Sequence, residues 1–153
     1  DANEVLRLLA QRVVNVPQAW LDHCADVKSL IPLVDPQNTR NPNTVSPFDL
    51  VHQLSAHLRP GDLMIPASSG SGQFVPMEVF ESKAGQRVVT NKGLASMGYG
   101  LAAGIGAALA GSPKRTVLIE GDGSFSQSIQ ELGTVNVQAL NLKISLRKNV
   151  GYA

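Results

Sequence analysis

Short apolar runs alternate with longer amphipathic segments through most of the chain. Short apolar runs bounded by turn-forming residues are typical of buried strands, whereas apolar positions repeated every three to four residues indicate helices. Four strands are predicted on this basis, over residues 62–66, 88–90, 117–119 and 142–146. Helical patterns are predicted over residues 47–58, 95–111 and 124–140, the last with Ile129, Leu132, Val135, Val137 and Leu140 on its apolar face. This alternation predicts an α/β fold, a parallel sheet with helices on both faces.

Two further helical patterns precede this region. A weak one follows Pro17, and an amphipathic one covers residues 3–13, with an apolar stripe of Val5, Leu8, Leu9 and Val13. Residues 32–47 are rich in proline and asparagine, which predicts a linker. The next helix has a clear start, because Ser46 can cap its first amides and Pro47 suits the first helical position.

The chemistry is concentrated where the strand at 117–119 ends. Gly121-Asp122-Gly123 follows this strand, and a helical pattern begins at Ser124 or Phe125. Glycines let a ligand approach the backbone, and the first amides and the dipole of a helix favour an anion such as phosphate. A carboxylate would repel a phosphate unless a divalent cation lay between them, and Mg²⁺ accepts both kinds of oxygen. Asn149 follows the next strand and is expected at the same carboxyl edge of the sheet. The pattern predicts a magnesium diphosphate site.

Two motifs in this order resemble those of a known family. Gly121-Asp122-Gly123, followed after this spacing by Asn149 and then Gly151-Tyr152, resembles the diphosphate-binding signature of thiamine-diphosphate enzymes, especially the acetolactate-synthase-like group. Upstream, residues 93–101 are similar to the glycine-rich segment that carries a methionine, here Met97, under the thiazolium ring of the cofactor. The resemblance runs from about Pro47 to Ala153.

The resemblance implies a domain organisation. It implies the thiamine-diphosphate-binding, Rossmann-like three-layer fold, incomplete in this chain. Residues 1–42 would be the end of a preceding domain and a linker. Residues 43–153 would be the diphosphate-binding domain, truncated at its C-terminus.

The resemblance also implies the cofactors, thiamine diphosphate and Mg²⁺, and their ligands. The metal would be held by Asp122, Asn149 and the main-chain carbonyl of Gly151. The amides of Gly123 and Ser124 would hold the diphosphate, while Met97 and the carbonyl of Ala95 would contact the cofactor rings. The full set of expected cofactor-binding residues is Ser71, Gly72, Ala95, Met97, Gly121, Asp122, Gly123, Ser124, Asn149 and Gly151.

The chain departs from the family pattern near this site. Lys148 stands where the family usually has an asparagine, and Arg147 stands at the end of a strand that is usually apolar. These two charges and the following Val150 lie beside the expected metal ligands. Ala95 replaces a glycine and Ala102 replaces a proline.

By resemblance, the activity would be the decarboxylation and carboligation of 2-keto acids by a lyase or transferase of carbon–carbon bonds. A glutamate from a separate pyrimidine-binding domain starts the chemistry in this family, usually from another subunit of a homo-oligomer. We therefore expect a dimer or tetramer when the enzyme is complete. None of the glutamates of this chain lies in a matching motif: Glu4, Glu78, Glu81, Glu120 and Glu131. No catalytic residue is predicted in this chain, which alone is expected to be inactive.

Composition narrows the possible partners and location. The 153 residues are 43% hydrophobic and carry a formal net charge of +1, so neither nucleic acid nor an anionic membrane surface is an expected partner. The run of small and apolar residues at 97–110 is too short to span a membrane, and the start of the chain lacks a signal-peptide pattern. A single cysteine, Cys24, fits a reducing compartment, and a cytoplasmic location is expected. His23 has acidic neighbours that point away from it on a helix, so it is not a predicted metal ligand.

Two alternatives to the thiamine interpretation stay open, a dinucleotide-binding module and a fragment that binds no ligand. Gly98-x-Gly100-x-x-Ala103, with Glu120 about twenty residues later, mimics the fingerprint of a nicotinamide dinucleotide-binding module. Against this, several residues separate the strand at 88–90 from the first glycine. The small residues Ser96, Gly100, Gly104 and Ala108 also fit a closely packed helix, which is compatible with the thiamine interpretation. The last alternative is an inactive fragment that keeps the fold and binds no ligand.

Overall fold

A computed structural model describes residues 1–12, 15–39, 43–68, 70–111 and 115–148 of the chain. The chain divides into two compact units, Asp1–Asp35 and Pro36–Ala153. The first unit contains the two predicted helices, α1 (Ala2–Ala10) and α2 (Gln18–Leu30). The apolar stripe of α1 is exposed at Val5, Leu8 and Leu9, and Val13 lies outside the described residues. The predicted boundary between residues 42 and 43 stays a prediction.

The second unit contains the predicted strands and the site. Its elements in chain order are α3 (Pro47–His57), β1 (Leu63–Pro66), α4 (Val75–Val79), β2 (Arg87–Val88), α5 (Tyr99–Leu109), β3 (Thr116–Gly121), α6 (Asp122–Ser126), α7 (Leu132–Val137) and β4 (Leu142–Arg147). Ser46 caps α3, since its hydroxyl accepts a hydrogen bond from the Asp49 amide at 3.5 Å. The four predicted strands and the start of α3 are confirmed.

The four strands form one parallel sheet in the order β2-β1-β3-β4. Both alternating sets of side chains are buried in β1 and in residues 116–120 of β3, so these central strands are covered on both faces. Helix α5 packs on one face around a core of Leu63, Ile65, Ala67, Leu101, Ile105, Leu118, Phe125 and Leu142. The predicted α/β fold with a parallel sheet is confirmed.

The order of the strands places a crevice at one edge of the sheet. The chain leaves β1 toward β2 on one side, and it leaves β3 toward β4 on the other. The direction of winding therefore reverses between β1 and β3, which is where open α/β sheets bind ligands at the carboxyl ends of the strands. Ala67, Ser68, Gly70 and Ser71 follow β1, and residues 122–124 follow β3, at this point.

The prediction of one continuous helix over residues 124–140 is wrong. Helix α6 begins at Asp122 and ends at Ser126, a 3-10 turn covers Ile129–Glu131, and α7 follows. The break is at Ser128, which has φ −134° and donates a hydrogen bond to the Gly98 carbonyl at 3.1 Å. Because this tertiary contact turns the chain, Ile129, Leu132 and Val137 of the expected apolar face are exposed. Its remaining members, Val135 and Leu140, do pack against the core.

The helix predicted over residues 95–111 is shorter than expected. Helix α5 begins only at Tyr99, so Ser96 of the small-residue series precedes it. Ala95 and Gly98 have left-handed backbone conformations, with φ of 49° and 80°, which keep the first residues out of the helix. In the part of the chain that the structure describes, no helix is long and apolar enough to cross a membrane.

Candidate functional site

A cavity of about 980 Å³ lies at the carboxyl edge of the sheet. Residues from three strand ends contribute to its wall: Ser68, Gly70 and Ser71 after β1, Gly121, Asp122, Gly123 and Ser124 around the end of β3, and Leu146, Arg147 and Lys148 at β4. Ala95, Met97, Gln73, Phe74 and residues between Asn43 and Leu50 complete the lining. The winding reversal and the cavity therefore coincide.

The Gly121-Asp122-Gly123 turn forms one side of this cavity. Its backbone is extended at Gly121, with φ −82° and ψ 152°, and it turns directly into α6 at Asp122. Asp122 is half-buried, and its Oδ1 accepts a hydrogen bond from the Gly123 amide at 3.0 Å. Helix α6 has only five residues, so the dipole of a long helix, expected from the sequence, is not available here. The backbone amides and the carboxylate remain as the polar groups of the turn.

Ser124 joins this turn to the glycine-rich segment through a buried network. Its hydroxyl donates to Glu120 Oε1 at 2.5 Å and accepts from the Gly98 amide at 3.0 Å. It also shares a hydrogen bond of 2.6 Å with the hydroxyl of Ser68. The hydroxyl of Ser124 is therefore occupied inside the protein, and the two sequence motifs are physically connected through it.

Glu120 is fully buried at the centre of this network. Burial raises the pKa of its carboxyl group above the ordinary 4.5, and the hydrogen bonds from the Ser124 hydroxyl and the Gly100 amide oppose this increase only in part. A dinucleotide-binding module would need the acid at this position to reach a ribose hydroxyl. The dinucleotide interpretation of Glu120 is therefore wrong, because α5 and Ser124 enclose this side chain.

We expect the free energy of unfolding of Glu120→Gln to rise relative to that of the wild type as the pH increases above about 4.5. The raised pKa means that the folded state holds the proton in this range more strongly than the unfolded chain, so wild-type stability falls until the folded pKa is passed. The glutamine side chain does not titrate. The difference in the free energy of unfolding between the variant and the wild type therefore grows by about 1.4 kcal/mol for each unit by which the pKa of Glu120 is raised in the folded state. Urea unfolding between pH 4.5 and 8 measures it, with the exposed Glu78→Gln as control. A difference independent of pH would contradict the prediction.

The glycine-rich segment brings two predicted residues to the cavity. Ala95 and Met97 both line it, and Met97 is 45% exposed. The left-handed backbone at Ala95 is a conformation that glycine adopts at little cost, so the glycine that the family resemblance leads one to expect here would suit it. The segment therefore supplies an apolar side chain and exposed backbone to one wall.

The serine-rich loop after β1 is also part of the site. Ser71 lies on the cavity wall in a π-helical turn, Gly70–Phe74, and Gly72 is buried in the same turn. The carbonyl of Ser71 accepts a hydrogen bond from Arg147 Nη1 across the cavity edge. Ser68 and Gln73 also line this wall but were not among the predicted site residues. Ser68 follows β1 closely, which was a usable signal, whereas Gln73 lies further along, in the turn Gly70–Phe74.

Arg147 and Lys148 both line the cavity, although they were not predicted as ligands. Arg147 Nε and Nη2 are shielded from water, and no described residue accepts a hydrogen bond from them. Burial lowers the pKa of Arg147 to about 10, so its guanidinium is still charged at neutral pH. A partly buried cation is therefore part of the site.

The predicted metal ligands are described only in part. Asp122 lies on the wall, whereas Asn149 and Gly151 lie outside the described residues, as does Val150. Over the ranges that the structure covers, no group of three or more His, Cys, Asp or Glu side chains that could hold a metal ion is found, at His23 or elsewhere. The expected ligand set contains only one such side chain, Asp122.

Comparison with known proteins adds the family. The sequence model of the thiamine pyrophosphate enzyme, C-terminal TPP binding domain, matches residues 68–153. The acetolactate synthase isozyme 2 large subunit of Escherichia coli (strain K12) is 31% identical over 151 residues, which are 97% of this chain and 26% of the relative. Acetolactate synthase 1, chloroplastic, of Nicotiana tabacum is 32% identical over 131 residues, 86% of this chain and 19% of the relative. The chain spans about a quarter of the length of these relatives or less.

Proposed function

We propose a function for the cavity on the premise that this chain belongs to the thiamine pyrophosphate enzymes, as a C-terminal TPP-binding domain of the acetolactate-synthase-like kind. The cavity binds the diphosphate of the cofactor through Mg²⁺. The observation that carries this proposal is the position of the Asp122 carboxylate beside glycine backbone, on a cavity at the winding reversal of the sheet. Carboxylate and phosphate oxygens together are the ligands that Mg²⁺ prefers.

The described residues fit this cofactor in size and chemistry. The cavity of about 980 Å³ is at the upper end of the range for small-molecule sites. Gly121 and Gly123 have no side chains to keep a phosphate from their backbone. Asp122 supplies a half-buried oxygen ligand, and Asn149 and the Gly151 carbonyl are proposed as the other metal ligands.

Each residue of the site has a defined task under this proposal. Asp122 holds the metal, and the amides of Gly123 and Ser124 donate to the diphosphate. The hydroxyl of Ser124, through Glu120 and the Gly98 amide, holds the turn at a set position relative to Met97. Met97 presents an apolar surface that excludes water beside the cofactor rings, near the carbonyl of Ala95. The cofactor, when bound, supplies the carbon that attacks a 2-keto acid and takes up charge as carbon dioxide leaves.

The complete enzyme is proposed to need a second domain. The reaction begins with a proton held by a glutamate on a pyrimidine-binding domain, usually of another subunit in a dimer or tetramer. Glu120 is enclosed in the core and bonded to Ser124, so it does not serve in this role. The 153-residue chain alone is therefore expected to have no turnover. Separately, a cytoplasmic location is proposed.

Titration of thiamine diphosphate into the full chain tests the proposal. We expect saturable binding with Mg²⁺, and at least a tenfold weaker affinity, about 1.4 kcal/mol, either with a chelator or in Asp122→Asn. Asparagine keeps the size of the side chain and removes its charge. The exposed Glu78→Gln is the control and should bind like the wild type.

Two outcomes would overturn this proposal. Absence of binding to a folded wild-type chain would favour the ligand-free fragment. Binding of a nicotinamide dinucleotide that survives the chelator, without binding of thiamine diphosphate, would favour the dinucleotide module.

A further inference from the structure

The last residue of β4 places a positive charge where the family resemblance leads one to expect an apolar side chain. Arg147 ends this strand, and Asp122 and Ser124 line the same cavity. Its Nη1 donates to the Ser71 carbonyl across 76 residues of sequence, so the guanidinium lies between the end of β4 and the loop after β1.

The hydrogen bonds of this guanidinium are incomplete. One nitrogen has the Ser71 carbonyl as its partner, whereas Nε and Nη2 are shielded from water and no described residue accepts from them. A buried charge with unpaired donors is unfavourable, because it has lost its hydration without gaining a partner. An oxyanion would correct this, since the planar guanidinium matches two oxygens of a phosphate at once.

The charges on the cavity wall favour an anion as the missing partner. Among the described residues of the lining, the ionised side chains are Asp122, Arg147 and Lys148, which leaves an excess of one positive charge. Lys148 is exposed, whereas Arg147 is at the end of the strand and is partly buried. An anion therefore meets a net attraction even before a metal ion joins Asp122.

We propose that Arg147 is a direct ligand of the diphosphate group. On binding, its guanidinium turns so that Nε and Nη2, the two donors that no described residue satisfies, donate hydrogen bonds to phosphoryl oxygens. Arg147 then shares the neutralisation of the diphosphate with the metal at Asp122. This inference rests on the proposed function for the identity of the ligand, and it implies that diphosphate keeps measurable affinity when Mg²⁺ is removed.

Inorganic pyrophosphate is the probe that isolates this contact. Titration into the full chain in the presence of a chelator should show binding by the wild type and a loss of at least tenfold in Arg147→Leu. Arg147→Lys should fall between them, because lysine keeps the charge and loses the paired hydrogen bonds. The exposed Arg87→Leu, on β2, is the matched control and should bind like the wild type.

A purely structural role for Arg147 gives a different result. If it only ties the loop at Ser71 to β4, Arg147→Leu lowers the free energy of unfolding and leaves the pyrophosphate affinity of the folded fraction unchanged, which overturns the inference. Equal or tighter binding in folded Arg147→Leu also overturns it, since the arginine would then obstruct the cavity. Arg147→Lys keeps the test possible if the leucine variant does not fold.

The failures of the two proposals are distinguishable. Thiamine diphosphate binding that needs Mg²⁺ and Asp122, but is unchanged in Arg147→Leu, supports the proposed function and overturns this inference. Binding of pyrophosphate that needs Arg147, without binding of thiamine diphosphate, supports an anion ligand and overturns the proposed function. A folded wild type that binds neither probe overturns both.

Discussion

Replacing Gly100 with alanine is expected to lower the free energy of unfolding by about 3 kcal/mol, because overpacking a core that cannot yield costs this much. A Cβ atom at Gly100 would lie 2.4 Å from the Cβ of Ala67 and 2.7 Å from Oε2 of Glu120. Both neighbours are fully buried, so neither can move aside. Helix α5 would have to shift away from β1 and β3, at the place where it supports the site.

Helix α5 contains its own control for this prediction. Gly106 is exposed on the same helix, and an added Cβ meets nothing within 4 Å. Gly106→Ala is expected to raise the free energy of unfolding by about 0.5–1 kcal/mol, because glycine in a helix interior is less favourable than alanine. Urea unfolding of both variants measures the difference. Equal effects at the two positions would show that α5 does not pack this closely on Ala67 and Glu120.

Arg115→Met is expected to lower the free energy of unfolding by about 3 kcal/mol, because it leaves a buried carboxylate without its cation. Asp62 is 1% exposed, and Arg115 donates to it from Nη2 at 2.5 Å and from Nε at 3.1 Å. The Arg115 side chain is one-third exposed, which puts the loss at the lower end of the range for buried pairs. The ion pair joins the starts of β1 and β3, so its loss affects the centre of the sheet.

The pH dependence and a double variant separate charge from packing at this pair. The hydrogen bond from Arg115 lowers the pKa of Asp62 below its ordinary 3.8, so the wild type has this stabilisation above about pH 3.8 and loses it as pH falls through the folded pKa. The deficit of Arg115→Met should therefore shrink in acid. Asp62→Asn combined with Arg115→Met should recover part of the loss, and the exposed Arg87→Met should stay within about 0.5 kcal/mol of the wild type. A double variant as unstable as Arg115→Met would assign the loss to packing of the arginine stem.

The site depends on contacts that bring distant segments together. Ser124 bonds to Ser68 across 56 positions and to Gly98 across 26, and Ser128 bonds to Gly98 across 30. These hydrogen bonds fix the Gly121–Gly123 turn against the loop of Met97. The two motifs are therefore parts of one structure, and a substitution in either motif should alter the position of the other.

Local features of the sequence were sufficient to predict the elements. The apolar runs at 62–66, 117–119 and 142–146 are strands because burial in a parallel sheet requires such runs. Ser46 with Pro47 determines the start of α3, because capping depends only on adjacent residues. Gly121-Asp122-Gly123 identified the turn at the carboxyl edge, since a turn between strand and helix is also a local property.

Only the tertiary structure decided how the ends of these elements meet. The order β2-β1-β3-β4 puts the cavity between β1 and β3, and no local pattern contains that order. The same order encloses Glu120 under α5, and the Gly98 carbonyl breaks the predicted helix at Ser128. It also brings the Arg147 guanidinium to Ser71. The sequence by itself determined which residues form strands, caps and turns, because these follow from periodicity and from neighbouring residues. The partners of buried polar groups depend on segments far apart in the chain, and packing alone brings those together.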